Sequence, residues 1–155
     1  MQDPEGHLVG YAYTIPIPTA VWVILAVIAV VLIIVLLLIA LPVMKFTIVV
    51  SGDSIYVSAP PLAKVRVRKE DVIYIHEVRL SDYPGLRPTI RTFGLGLPGC
   101  KIGWFRLANG ARAFLGLTWS DRAVVMELRD GTYVILTPKN LSEFITTLRN
   151  LGWLK

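Results

Sequence analysis

The sequence has no Asp, Glu, Lys or Arg anywhere between Glu5 and Lys45, although charged residues make up 17% of the chain. The hydrophobic fraction is 54%, so the apolar excess is concentrated in this one segment. Such a chain is neither a plain soluble domain nor intrinsically disordered, because disorder requires low hydrophobicity. No second uncharged run of comparable length follows, which excludes a transporter with several membrane spans.

Cysteine and histidine are also scarce. Cys100 is the only cysteine, so no intrachain disulfide can form, in keeping with a reducing compartment. His7 precedes the most apolar part of this run and His76 follows the run, so the two histidines cannot supply a zinc ligand set with one Cys. A catalytic triad would require His76 as its sole base. We therefore expect no catalytic residue and no metal site.

The uncharged run predicts a transmembrane helix. Its continuous apolar part, Ala20–Leu41, spans about 33 Å at about 1.5 Å per residue, which is enough to cross the hydrocarbon core. Thr19 is placed to cap the first turn, and Pro42 follows the apolar part. The alternative is a buried core helix, which so short a chain could not cover on all sides. We expect a short extracytoplasmic tail over residues 1–18, a transmembrane helix over residues 19–43 and a folded domain over residues 45–155.

The flanks of this helix predict its orientation. All 16 basic residues follow it, whereas the preceding segment carries only Asp3 and Glu5 as charges. The positive-inside rule then places the N-terminus outside and the C-terminal domain in the cytoplasm. A cleaved signal peptide fits less well, since no basic segment precedes the apolar run. An exported pilin-like subunit remains an alternative, because pilins also place an apolar helix before a β-rich head.

Short alternating stretches replace the apolar run from Lys45 onward. Asn109-Gly110 and Asp130-Gly131 are typical of type I′ hairpin turns, and Ser51-Gly52-Asp53 predicts another tight turn. The pattern predicts strands over residues 46–50, 54–59, 64–68, 72–80, 89–95, 102–107, 111–119, 123–129 and 132–137.

The end of the domain predicts one amphipathic helix, over residues 140–151. Asn140 and Glu143 have the spacing of a capping box, and Gly152 is placed to end the helix. Apolar residues at helical spacing form one stripe, which would cover an end of a curled sheet.

Three sequence motifs carry a family resemblance. They are Arg91-Thr92-Phe93-Gly94-Leu95-Gly96, Gly103-Trp104-Phe105 and the segment Asp130–Pro138. They resemble the prokaryotic membrane-associated PH-like domains over residues 46–151. The resemblance implies a PH-like bent barrel of about seven antiparallel strands with one C-terminal helix. It also implies structural roles for the motif residues Arg91, Gly94, Gly96, Gly103, Phe105, Gly131 and Pro138.

Residues 94–99 also satisfy the pattern G-x-G-x-x-G. A dinucleotide site needs that pattern to close a strand and open a helix, but here Pro98 intervenes and another strand follows. We interpret the glycines as permitting a bulged bend in the sheet and expect no cofactor.

Two features remain as candidates for binding. The first is a basic group that anionic lipid headgroups would attract, consisting of Lys45, Lys64, Arg66, Arg68 and Lys69. An ordinary solvated strand face is an equally good interpretation. Specific phosphoinositide binding is disfavoured, because the first hairpin turn carries the acidic Asp53.

The second feature is aromatic. Trp104, Phe105, Phe114 and Trp119 lie on successive predicted strands, with Trp153 after the helix. Aromatic residues in a small domain are usually core, and one left exposed would mark a partner surface. Phe114 must face away from Trp119 on its strand, so they cannot all be buried on one face.

These patterns favour a single-pass, membrane-anchored, noncatalytic interaction module at the cytoplasmic membrane surface. The expected partner is a protein or a second copy of the chain, with anionic lipid headgroups possible and no nucleic acid. The alternatives are an accessory anionic-lipid binding module and an exported pilin-like structural subunit.

Overall fold

The computed structural model describes Tyr13, residues 16–61 and residues 63–154, and the chain divides after Val35 into two compact units. The predicted tail therefore lies mostly outside the described residues, as does His7. Helix α1 comprises Thr19–Met44 and so continues through Pro42.

Helix α1 is apolar on every face. Mean hydropathy reaches 3.8 over Thr19–Leu41, and none of this described window is buried. The core helix of a soluble protein would be mostly buried, so that alternative is disfavoured. The length and composition of α1 are those of a membrane span or of a signal sequence.

A three-stranded antiparallel sheet follows α1. Its strands are β1 (Thr47–Val50), β2 (Ser54–Ala59) and β3 (Ala63–Arg68), in that order. The predicted turn at Ser51–Asp53 joins β1 to β2. A short 3₁₀ turn, Lys69–Asp71, leads from β3 into the second sheet.

The second sheet has six strands, in the order β4-β8-β9-β7-β6-β5. They are β4 (Val72–Arg79), β5 (Pro88–Leu97), β6 (Cys100–Leu107), β7 (Arg112–Leu117), β8 (Arg122–Leu128) and β9 (Tyr133–Leu136). The described residues thus form nine strands in two sheets. The prediction of about seven strands in a barrel is wrong, because the barrel is not closed.

One strand pair also departs from the predicted antiparallel arrangement. β9 lies between β8 and β7, antiparallel to β8 and parallel to β7. Val134, Ile135 and Leu136 are buried on both faces of the sheet, as a central strand requires. Alternation identifies a strand but not its neighbours, which is why the sequence did not reveal this insertion.

The hairpins at Asn109-Gly110 and Asp130-Gly131 are present, but the predicted type I′ turns are wrong. Among the described residues only glycines have positive φ, including Gly110 at 84° and Gly131 at 77°. The Asn109 and Asp130 side chains accept hydrogen bonds from the N–H two residues on, at 3.0 and 2.9 Å. Each turn is therefore a three-residue loop with glycine at its left-handed position.

Apolar side chains cover both faces of the six-stranded sheet. One face, which includes Phe114 and Met126, packs against the three-stranded sheet and the C-terminal helix. The other face, which includes Phe105 and Leu115, packs beneath Leu86 of the β4–β5 connection. Phe105 and Phe114 thus lie on opposite sides of this sheet, and both are buried.

Helix α2, Leu141–Asn150, ends the domain. The expected capping box is incomplete, because Asn140 makes no side-chain cap and its Nδ2 instead donates to Glu143 Oε2 at 3.1 Å. After the helix, Gly152 has φ 70°, and Trp153 N–H donates to the Leu148 carbonyl at 2.8 Å. This Schellman end buries Trp153 beside Leu148 in the core.

Candidate functional site

Three of the basic residues identified in the sequence lie on the outer face of the three-stranded sheet. Lys64, Arg66 and Arg68 alternate with inward-facing apolar residues along β3, and all three are exposed. Lys64 is opposite Ser58, which is itself opposite Thr47 at the start of β1. Because neighbouring strands lie about 4.8 Å apart, the Cα atoms of Lys64 and Thr47 are about 10 Å apart.

These three residues lie at increasing distances from the start of β1. A strand advances about 6.7 Å over two residues, so Arg66 lies one such step and Arg68 two steps beyond Lys64. Only Lys64 lies at the same position along the sheet as Thr47, which follows the exposed Lys45 by two residues. The outer face is therefore not one uniform basic surface beside the end of α1.

Two of the five basic residues already have partners inside the domain. Arg68 Nη1 lies 2.9 Å from Glu70 Oε1, and Arg68 Nε donates to Asp71 Oδ2 at 3.0 Å. Lys69 Nζ donates to the Leu151 carbonyl at 2.9 Å. The ion pairs of Arg68 and the hydrogen bond of Lys69 are exposed and weak, but they make these two cations less available to an external anion.

The remaining three are Lys45, Lys64 and Arg66. Within the described part of the chain, no carboxylate oxygen lies within 4.0 Å of their cationic groups. Of the predicted lipid-contact group, these are the residues that the structure leaves open to solvent.

A second group of residues surrounds the start of β1, and the sequence did not identify it. Phe46, two residues after Met44, packs against Gly116 of β7, where a Cβ would overlap the Phe46 ring. An open cavity of about 430 Å³ extends from Phe46 past Ile102 to Lys139. Lys139 is the one charged side chain among its described lining residues.

A second cavity, also of about 430 Å³, shares Cys100, Leu117 and Thr118 with the first. Its charged lining residues, among those described, are Arg87 and Lys101. Partial burial raises the pKa of the Cys100 thiol. The thiol therefore stays protonated near neutral pH, which does not favour a nucleophilic role.

Gly94 and Gly103 face each other across β5 and β6. Their φ angles are 131° and 124°, and a Cβ on either would overlap a carbonyl oxygen of the opposite strand. The same added Cβ would lie 2.8 Å from the Gly103 Cα, or 2.7 Å from the Gly94 Cα. The pair thus permits two strands to approach closely, next to a register shift between Arg91 and Phe93.

The other motif residues serve packing and turns. The Arg91 side chain lies over Gly96, with its Cδ 3.5 Å from where a Cβ would be, and Phe105 is buried. Gly131 occupies the exposed β8–β9 turn, and Pro138 is half-buried after β9. Arg91, Gly96 and Phe105 line one open cavity of about 470 Å³, whereas Gly131 and Pro138 are not among its described lining residues.

The residues that the structure describes contain no group of three or more His, Cys, Asp or Glu side chains suited to a metal ion. His76 is exposed on β4. The string of glycines at residues 94–99 leads directly into β6 and opens no helix, so a nucleotide phosphate would meet no helix N-terminus there.

Trp119 differs from Trp104, Phe105, Phe114 and Trp153, the other aromatic residues that the sequence singled out. Trp153 is buried and its Nε1 donates to the Ser51 carbonyl at 2.9 Å, while Trp104 packs edge-on against Phe114. Trp119 is 83% exposed, because β7 ends at Leu117 and the alternation of the strand ends with it. The exposed aromatic residue that the sequence left open is therefore Trp119.

Sequence reasoning also missed Lys101 and Lys139. They are far apart along the chain, and each stands alone among uncharged or apolar neighbours, so no charge run identifies them. Only the convergence of the strand ends brings both beside Thr118.

Two packed β-sheets followed by an amphipathic C-terminal helix define a domain of the pleckstrin-homology type. The family model described as Bacterial PH domain matches residues 47–152, and the chain belongs to this family. Domains of this family are generally noncatalytic interaction modules. No curated protein and no solved structure matches the chain.

Proposed function

We propose that this chain is a single-pass membrane protein whose PH domain acts as a noncatalytic interaction module at the cytoplasmic surface. The observation that supports it most is the short connection between α1 and the domain. Only Lys45 and Phe46 separate Met44 from β1. With α1 in the bilayer, so short a connection keeps the domain beside the headgroups.

The anchor gives the module a physical advantage. Confinement to a surface raises the effective concentration of the domain toward any partner in the same membrane. Weak contacts then suffice for assembly, and tight lipid binding is unnecessary. This arrangement favours binding to a protein partner or to a second copy of the chain.

The orientation is part of the proposal. All 16 basic residues follow the apolar run, and an excess of Lys and Arg is typical of the cytoplasmic side. The test is protease treatment of intact cells that express the chain with an N-terminal or a C-terminal epitope tag. We expect loss of the N-terminal tag only. Loss of the C-terminal tag from intact cells would contradict the orientation and favour an exported, pilin-like subunit.

The partner is tested by affinity capture of the full-length protein from gently solubilised native membranes. Two differently tagged copies in one cell separate self-association from binding of another protein. We expect either co-capture of the second tag or one other protein in a fixed ratio. Capture of neither would contradict the interaction module.

Lys64 and Arg66 support a second candidate, an accessory contact with anionic lipids. Each such cation contributes about 1 kcal/mol when it is close to an anionic surface. The variant Lys64→Gln/Arg66→Gln is compared with Arg68→Gln/Lys69→Gln, which removes the same charge from residues that already have partners.

The readout is the salt-dependent sedimentation of residues 45–155 with anionic vesicles, once circular dichroism has shown that this fragment keeps its β-structure. We expect the first variant to lose more binding than the second. Equal binding by wild type and both variants would eliminate the lipid contact without affecting the anchored module.

A further inference from the structure

The β7–β8 connection and the β5–β6 turn together form an exposed apolar tip. We define the Trp119 tip as Trp119 together with Leu97, Pro98 and Gly99. Trp119 is 83% exposed, and Leu97 and Pro98 are exposed as well. A large aromatic ring left in water beside other apolar groups marks a surface that has a partner.

The tip is held in place by Gly99. This residue has φ 73°, and a Cβ there would overlap the indole ring of Trp119. Only glycine permits both the turn and the close approach of the ring. The exposed indole therefore has a defined position against the β5–β6 turn.

The covalent chain limits how far this tip can be from the end of α1. Met44 ends α1, and Phe46 follows within about 7 Å, since a chain spans at most about 3.6 Å per residue. Phe46 contacts Gly116, and Trp119 follows Gly116 by three residues, or at most about 11 Å. The contact between Phe46 and Gly116 thus sets an upper limit on the distance between the tip and the start of the domain.

The apolar window of α1 ends at Leu41, and α1 extends only about 4.5 Å beyond it. The headgroup region adds about 5–7 Å on each side of the hydrocarbon core. Phe46 therefore lies at or just beyond the headgroups when α1 spans the bilayer. Trp119 is within reach of the same layer, where tryptophan is enriched in membrane proteins.

The charges around the tip agree with this location. The two cavities that meet at Thr118 have Arg87, Lys101 and Lys139 as their charged lining residues, and none of the described lining residues is acidic. The nearest acid along the chain is Asp121, and its carboxylate accepts hydrogen bonds from Ser81 N and Oγ at 3.0 and 2.7 Å.

From these observations we infer that the Trp119 tip inserts into the membrane interface, so that the domain contacts the bilayer at a second point besides α1. The inference rests on the proposed membrane anchor. The ligand is the headgroup and upper acyl layer of a phospholipid bilayer. This second contact removes the freedom of the domain to rotate about the connection at Lys45.

The test uses the full-length protein in phospholipid vesicles that contain lipids brominated near the top of the acyl chain. Comparison of wild type with Trp119→Ser isolates the emission of Trp119, and comparison with Trp22→Phe isolates that of Trp22 in α1. Trp119 is exposed, so its loss leaves the core intact. We expect bromine to quench Trp119, and iodide to quench it less than it quenches free tryptophan amide in the same vesicle suspension.

The outcomes distinguish failure of the second membrane contact from failure of the proposed anchor. Quenching of Trp22 by bromine, with Trp119 unaffected and open to iodide, overturns the second contact and leaves the anchor standing. Protection of Trp119 from iodide without bromine quenching also overturns it, in favour of a protein that covers the ring. Absence of Trp22 quenching, with no flotation of the protein with vesicles, overturns the proposed anchor itself.

Discussion

The Gly94–Gly103 pair allows a quantitative prediction about β5 and β6. Replacing Gly103 with Ala places a Cβ against the Phe93 carbonyl and 2.7 Å from the Gly94 Cα. Carbon atoms prefer about 3.5–4.0 Å, so the two strands must separate by roughly 1 Å. The control is Gly110→Ala, since Gly110 also has positive φ but nothing lies within 4 Å of its added Cβ.

The two substitutions differ mainly in this backbone clash. An alanine at φ 124° costs about 1–3 kcal/mol of strain. Separation of the strands also weakens two hydrogen bonds, each worth about 0.5–1.5 kcal/mol. We therefore expect Gly103→Ala to lower the free energy of unfolding by about 2–6 kcal/mol, whereas strain alone at Gly110 costs about 1–2 kcal/mol.

Urea unfolding of the full-length protein in a non-ionic detergent measures both values. The tryptophan fluorescence follows the transition, with Trp104 directly after Gly103 as the reporter in this part of the sheet and Trp22, Trp119 and Trp153 unchanged between the variants. An unchanged dependence on urea concentration shows that the variants compare the same transition. A cost at Gly103 equal to or below that at Gly110 would refute the close-approach explanation.

Three further predictions follow from buried or partly buried side chains. Leu148→Ala should lower the free energy of unfolding in urea by about 2–5 kcal/mol, because Leu148 is fully buried. The control Arg149→Ala, at an exposed position, should lower it by about 0.5 kcal/mol. Similar losses for the two variants would mean that α2 is not packed on the core. Because partial burial raises the pKa of Cys100, its alkylation by iodoacetamide at pH 8 should be slower in the folded protein than in urea, and an equal rate would contradict this burial. Partial burial and then the adjacent Glu127 carboxylate raise the pKa of Tyr133 above its ordinary 10.0. The neutral form of Tyr133 therefore stabilises the fold below pH 10, and this contribution to stability is lost as the pH rises further. Tyr133→Phe should reduce the loss of stability at alkaline pH.

The sequence predicted the strands and α2 well, because their signals are local. Strict alternation at residues 64–68 and the turn residues Gly110 and Gly131 depend only on neighbours along the chain. The nine predicted stretches correspond to the nine strands, and the lower number came from the family layout. The sequence patterns do not specify which strands pair with each other, so they did not reveal the insertion of β9 between β7 and β8.

The candidate site was predicted less well, for a related reason. Arg68 and Lys69 look equivalent to Lys64 in the sequence, but Asp71 and the Leu151 carbonyl hold them. Those partners are visible only after folding. The pattern places Trp119 in a strand that continues two residues past the end of β7, so the exposure of Trp119 depends on where the strand ends, which is among the least certain features of a pattern.

The hydrogen bond between Trp153 and Ser51 has a consequence for the order in which the protein folds during synthesis. The two residues are 102 positions apart, a separation that takes about 5–20 s to translate at about 5–20 residues per second. Helix α1 emerges before either of them, so under the proposed membrane anchor it has time to enter a bilayer while the first hairpin still lacks the indole that covers its turn. Until β9 and α2 have been synthesised, the apolar inner side of β1–β3 lacks part of the surface that it packs against in the folded domain.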